Sequence, residues 1–153
     1  GQPGQYACKE KVDLVGPKRT IKGVRVLGPA RKESQVEVSL SDGFTLGIIV
    51  PVKGSGSLDG TPGVKLVGPK GEVELKKGVI AAARHIHMHP KDAEEFDVKD
   101  KEFVKIKVEG ERGLIFENVL IRVRDDFALE MHVDIEEGNA AGLKNGDLVE
   151  LIK

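Results

Sequence analysis

Most of the chain is built of short stretches in which apolar and polar residues alternate, the period of a strand with one face buried. Such stretches cover residues 11–15, 20–27, 34–40, 44–50, 64–67, 72–76, 79–87, 102–109, 113–117, 119–125, 128–134 and 147–152. Turn-forming clusters separate them: "GPK" twice, "GPAR", "SDG", "EGERG" and "KNGD". Many short strands at this spacing predict an all-β chain of barrels or sandwiches. Two stretches break the alternation and predict short helices. Residues 90–97 open on Pro90 with acids close behind, and residues 135–141 follow Asp134 with Glu137 at capping-box spacing and Gly142 placed to close the helix. The Gly-, Pro- and Ser-rich segment 51–63 reads as a connection between two halves, residues 1–63 and 64–153.

A weak internal repeat supports two halves. Gln35–Ile48 aligns on Glu130–Leu143 at an offset of 95, matching Val38 with Val133, Gly43 with Gly138 and Gly47 with Gly142. Each segment is a strand, a capping acceptor (Ser39 or Asp134), an acid three residues on (Asp42 or Glu137) and a closing glycine. In the same register Glu37 meets His132, and both residue types ligate metals. Unrelated strand–turn units share this patterning, so chance similarity remains an alternative.

Composition narrows the function classes. Lys+Arg 24 against Asp+Glu 25 leaves no basic excess to attract nucleic acid. The longest apolar runs, "VIAAA" and "GIIVPV", fall far short of the roughly 18 residues that a membrane helix requires. The single cysteine, Cys8, excludes an internal disulfide and fits a reducing compartment. The glycines of 51–63 lack phosphate-loop spacing. The chain starts without methionine or a secretory pattern, which leaves processing, tagging or truncation as its reading.

Three of the four histidines fall in "RHIHMHP" (84–90). On a strand, His85 and His87 point to the same side and can chelate a divalent ion through two imidazoles. His89 precedes Pro90 and the expected helix, so it should turn away as an N-cap. His132 stands on another strand and would complete a three-histidine set with open coordination positions, a catalytic rather than structural arrangement. An H-x-H pair can equally face solvent, and His132 can be an ordinary sheet histidine. The residues alone leave these readings open. Arg31, in "GPARKES", precedes the Glu37 strand; it reads either as a solvated arginine or as a guanidinium able to hold phosphate through two parallel hydrogen bonds.

Taken together, "QPGQ", "LVGPK", "VRVLGPARKESQVE", "SGSLDGTPG", "GVIAAARHIHM", "RGLIFENVLIRV" and "ALEMHVD…NAAG" resemble the phosphate propanoyltransferase family, the propanediol-utilisation type of phosphotransacylase, in order along nearly the whole chain. The resemblance implies two β-barrel domains and a dinuclear metal centre, usually zinc. It implies interconversion of a short acyl-CoA (propanoyl-CoA or acetyl-CoA) plus phosphate with acyl phosphate plus coenzyme A. It also implies a bacterial cytoplasmic enzyme, in some members housed within a microcompartment. Carried over residue by residue, His85, His87 and His132 would hold one metal. Glu37 would be a ligand of the other, and Arg31 would bind phosphate. Arg25 and Asn139 are candidates for contacts to coenzyme A because they flank the expected mouth on polar positions. No nucleic acid or membrane partner is expected, and exposed barrel faces leave a homo-oligomer open.

The family's earlier H-x-H, in a "RHVHLS"-like segment, would fall about ten residues ahead of Gly1 at the repeat offset. A truncated or cleaved chain is therefore expected, binding about one metal and weakly active or inactive. Competing expectations are a metal-binding β-barrel module without turnover and a metal-dependent hydrolase.

Overall fold

Gly16 and Pro17 turn the chain back on itself, with the Gly16 amide bonded to the Arg19 carbonyl at 3.0 Å. The turn joins β1 (Tyr6–Val15) and β2 (Thr20–Gly28) as an antiparallel pair. A computed structural model describes residues 4–153, so Gln2 and Pro3 of the "QPGQ" motif lie outside the described residues. Next come β3 (Val36–Glu37), α1 (Leu40–Leu46), β4 (Val52–Lys53), β5 (Val64–Gly68), β6 (Gly71–Leu75) and β7 (Val79–Ala82). The order β2-β1-β5-β6 makes an antiparallel sheet, and β7 runs parallel between β3 and β4. Leu14, Val36, Leu46, Val50, Val64, Val79 and Ala81 form one core.

A second sheet is built from β8 (His85–Met88), β9 (Phe103–Val108), β10 (Leu114–Val123), β11 (Glu130–His132) and β12 (Glu150–Ile152), in the order β11-β8-β10-β9-β12. α2 (Pro90–Phe96) follows β8 and α3 (Ile135–Ala141) follows β11. Its core includes Ile86, Met88, Val104, Ile106, Val119, Ile121 and Ala141. The chain accordingly divides into two units, Gly1–Ala82 and Ala83–Lys153. The boundary lies well beyond Gly63 because β5 pairs with β1, and β6 with β5, inside the first unit. Among the described residues these ladders run in open orders. They carry the all-β class with short helices.

The three helices among the described residues share one plan. Each has seven residues, an N-cap side chain (Ser39, His89, Asp134), a reciprocating acid (Asp42, Asp92, Glu137) and a left-handed C-cap (Gly47, Asp97, Gly142). The next amide returns to the carbonyl five residues back: Ile48 to Gly43 at 2.9 Å, Val98 to Ala93 at 2.9 Å, Leu143 to Gly138 at 2.8 Å. α1 and α3, with their caps, correspond residue for residue at the offset of 95.

Three strand expectations are corrected. Residues 44–50 are not a strand: the capping box at Ser39 starts α1, and "FTL" forms its end. Stretch 79–87 splits into β7 and β8, which enter different sheets. Stretches 113–117 and 119–125 merge into one strand, β10, which covers Leu114–Val123 and is irregular between Phe116 and Val119 where Asn118 takes φ 54.

Candidate functional site

β8 lies between β11 and β10. Its alternation sends Ile86 and Met88 into the core and leaves His85 and His87 together on the other side. β11 pairs antiparallel with β8, placing His132 opposite His85 and Glu130 opposite His87. The three rings converge, with centroids 4.7 Å apart for His85 and His87, 5.1 Å for His85 and His132, and 4.5 Å for His87 and His132. One ring nitrogen from each lies within 4.8 Å of the others, the one metal-ligating cluster of three or more such side chains among the described residues.

The donor chemistry suits a divalent ion. Nε2 of His87 and Nε2 of His132 are buried without a hydrogen-bond partner. Unpaired buried polar atoms are costly, and a cation accepting their lone pairs removes that cost. Glu130 Oε2 is 3.8 Å from His132 Nε2, too far for a hydrogen bond. His85 Nδ1 is 2.8 Å from the Ala83 carbonyl. A carbonyl only accepts, so Nδ1 carries the proton and Nε2 keeps its lone pair, the orientation common in metal-bound histidines. Three imidazoles with a remaining open position are a donor set that zinc accepts in catalytic sites.

Electrostatics keep the set ready. His87 is only 3% exposed. Burial first, then the charges of His85, His132 and Arg122, push its pKa down to about 4. His132 is lowered chiefly by burial, then by His85, with Glu130 opposing. Neutral imidazole, the metal-binding form, therefore dominates at neutral pH. Phe127 stacks flat against His87, with centroids 4.0 Å apart and planes 12° apart.

Arg122 was not among the sequence candidates. It faces His87 across the parallel β8–β10 ladder, is half-buried, and lies 5.9 Å from the Phe127 ring. Among the described residues no carboxylate pairs with it. The alternation in "LIRVR" marks its strand, but the pairing that brings it to His87 joins distant stretches and leaves no local trace. His89 turns away as expected: its Nδ1 accepts from the Lys91 amide at 3.0 Å, and its own amide donates to Asp92 Oδ2 at 3.2 Å.

The first unit gathers a different polar cluster. Arg31 Nη1 donates to Ser55 Oγ at 3.2 Å. Gln35 Nε2 donates to Ser55 Oγ at 3.1 Å and to Glu37 Oε1 at 2.8 Å, and Gln35 Oε1 accepts from the Gly56 amide at 2.7 Å. Arg31, Lys32, Gln35 and Gly56 line a hollow of about 190 Å³ beside this network. Glu37 is exposed at the end of β3 and belongs to no group of three metal-ligating side chains among the described residues. Arg25, exposed on β2, donates through Nη1 to the Cys8 carbonyl at 3.3 Å. Asn139, exposed on α3, lines a groove of about 930 Å³ in the second unit with apolar neighbours such as Leu129, Ile135 and Leu148.

The chain is similar to known proteins along almost its full length. A family model described as phosphate propanoyltransferase matches residues 1–144. A phosphate propanoyltransferase of Thermotoga maritima is 62% identical over 153 residues, taking in 99% of this chain and 73% of that protein. One of Clostridioides difficile is 57% identical over 99% of this chain and 73% of its own length. One of Salmonella typhimurium is 56% identical over 94% and 69%.

Proposed function

The chain belongs to the phosphate propanoyltransferase family, and from that premise we propose that it interconverts a short acyl-CoA plus phosphate with acyl phosphate plus coenzyme A. The histidine cluster carries the reading furthest, because two buried imidazole nitrogens without partners converge with a third on one point. His85, His87 and His132 would hold zinc through their lone-pair nitrogens. Bound there, the ion would supply Lewis-acid polarisation of a thioester carbonyl and a soft seat for thiolate.

The remaining work falls to the chain's own side chains. Arg31 binds and orients phosphate; its bond to Ser55, itself bonded to Gln35, fixes the guanidinium beside the hollow. Arg122 adds a half-buried positive charge next to His87, suited to an anionic substrate. A phosphate oxygen forms the new bond to the acyl carbon, the carbon–sulfur bond breaks, and coenzyme A leaves as the thiolate. No acyl group need pass through Cys8, which has no histidine near it in sequence to activate it. Arg25 and Asn139 are assigned to coenzyme A contacts and Glu37 to a carboxylate ligand of a second ion. Each unit is read as a β-barrel, with the shared strand–cap–helix segment as the trace of an internal repeat.

Arg31→Ala tests the phosphate assignment in steady-state assays with propanoyl-CoA. Charge-assisted hydrogen bonds worth roughly 1.5–3 kcal/mol put the expected rise in phosphate KM at about 10- to 100-fold. Unaltered phosphate KM and turnover would remove Arg31 from this role.

A further inference from the structure

His132 reaches the cluster on β11, a strand of three residues at the edge of its sheet, paired only with β8. Such a strand holds its register weakly by itself, since only its short ladder fixes it. A second tether joins the segments that flank these two strands. Arg84, the residue before His85, donates through Nη1 to Glu137 Oε2 at 2.8 Å. Its Nε and Nη2 both donate to the Glu117 carbonyl on β10, at 3.0 and 2.6 Å, and its guanidinium lies 5.1 Å from the Phe116 ring. All three guanidinium nitrogens are thus engaged, and the side chain has one orientation.

Glu137 is equally committed. Its Oε1 accepts from the Asp134 amide at 3.0 Å, and Asp134 Oδ1 accepts from the Glu137 amide at 2.7 Å. One carboxylate therefore caps α3, whose N-cap Asp134 stands two residues after His132, and grips the residue directly before His85. Both side chains are largely shielded, at 28% and 20% exposure, so the pair is weakened by solvent less than an ion pair on open surface. Among the described residues the capping acids of the two analogous helices make no such link: the carboxylates of Asp42 and Asp92 accept only from their own cap residues' amides.

We infer that Arg84 and Glu137 are positioning residues of the metal centre, a clamp that fixes the β11 histidine against the β8 pair before metal arrives. The inference rests on the metal reading of His85, His87 and His132 given above. A clamp of this kind sets metal affinity and coordination geometry, whereas a merely stabilising ion pair would shift unfolding alone.

The test uses the full chain stripped of metal, titrated with Co²⁺ and Zn²⁺ by calorimetry, with the Co²⁺ visible spectrum as a signature of geometry. Glu137→Gln keeps the cap, since glutamine serves at that position, but loses the charge that holds Arg84. Arg84→Lys keeps a charge but loses the three-way fork. Both variants should bind Zn²⁺ about 10- to 100-fold more weakly, with an altered Co²⁺ spectrum, while metal-free thermal unfolding stays within a few degrees of the parent. Parent-like affinity and spectrum in both variants would overturn the clamp. So would a loss of affinity accompanied by equal loss of metal-free stability. If the parent chain binds no metal, or binds it unchanged after His87→Ala, the metal reading itself fails and the clamp with it, an outcome separate from variants that bind like the parent.

Discussion

Burial holds His87 neutral, and that has a measurable consequence. Its pKa is about 4 in the folded chain against 6.5 for an ordinary histidine. Between these values the unfolded chain takes up a proton that the folded chain refuses, so stability falls as pH drops from 6.5 towards 4 and is flat above. His132, also lowered, adds to the same slope. The urea midpoint of metal-free protein should decline through this window, and the decline should shrink in His87→Gln; a midpoint that rises on acidification would contradict the burial account. At this scale the sequence was informative where the relation is local. The i, i+2 spacing of His85 and His87 puts them on one side of any strand, and Pro90 after His89 forces the third histidine into a cap. It was silent on Arg122, which reaches His87 only through the parallel ladder between β8 and β10. His132 stood between: its strand was legible, but its place opposite His85 depends on a register that no neighbouring residue encodes.

At the scale of elements, capping chemistry decided more than hydrophobic alternation. α3 was legible to the residue because Asp134, Glu137 and Gly142 mark both ends. α1 carries the same marks in Ser39, Asp42 and Gly47, yet its apolar residues also fit a strand, and the alternation in "FTLGIIV" concealed it. A seven-residue helix cannot stand on propensity and depends on its caps and its buried face. Asp134→Ala should therefore cost about 1 kcal/mol of stability, measured by chemical denaturation. It should also weaken zinc binding, because the same cap seats Glu137 and follows His132 by two residues. Unchanged stability would show that α3 is held by packing alone.

For the whole molecule, the two cores explain why the expected boundary at Gly63 was misplaced. The Gly/Pro/Ser-rich stretch looks like a linker in composition, but Thr61 is buried, its Oγ accepts from the Gly78 amide at 2.9 Å, and its hydroxyl donates to the Leu58 carbonyl. The stretch is a folded loop of the first unit, which continues through β7 to Ala82. Long-range strand pairing, invisible to composition, fixed that assignment. In the second unit Ile121, fully buried on β10 one residue before Arg122, joins the core to the site. Ile121→Ala should destabilise by about 2–5 kcal/mol in denaturant unfolding, and a loss below about 1 kcal/mol would contradict a close-packed core there.

The central claim is that this fold carries phosphate-dependent acyl transfer through a metal bound by His85, His87 and His132. Release of free coenzyme A from propanoyl-CoA, followed with and without phosphate before and after chelation, tests it most directly. The account predicts release that requires phosphate, disappears on chelation, returns with added Zn²⁺ and is absent in His87→Ala. Release that proceeds without phosphate, or that chelation leaves unchanged, would contradict it.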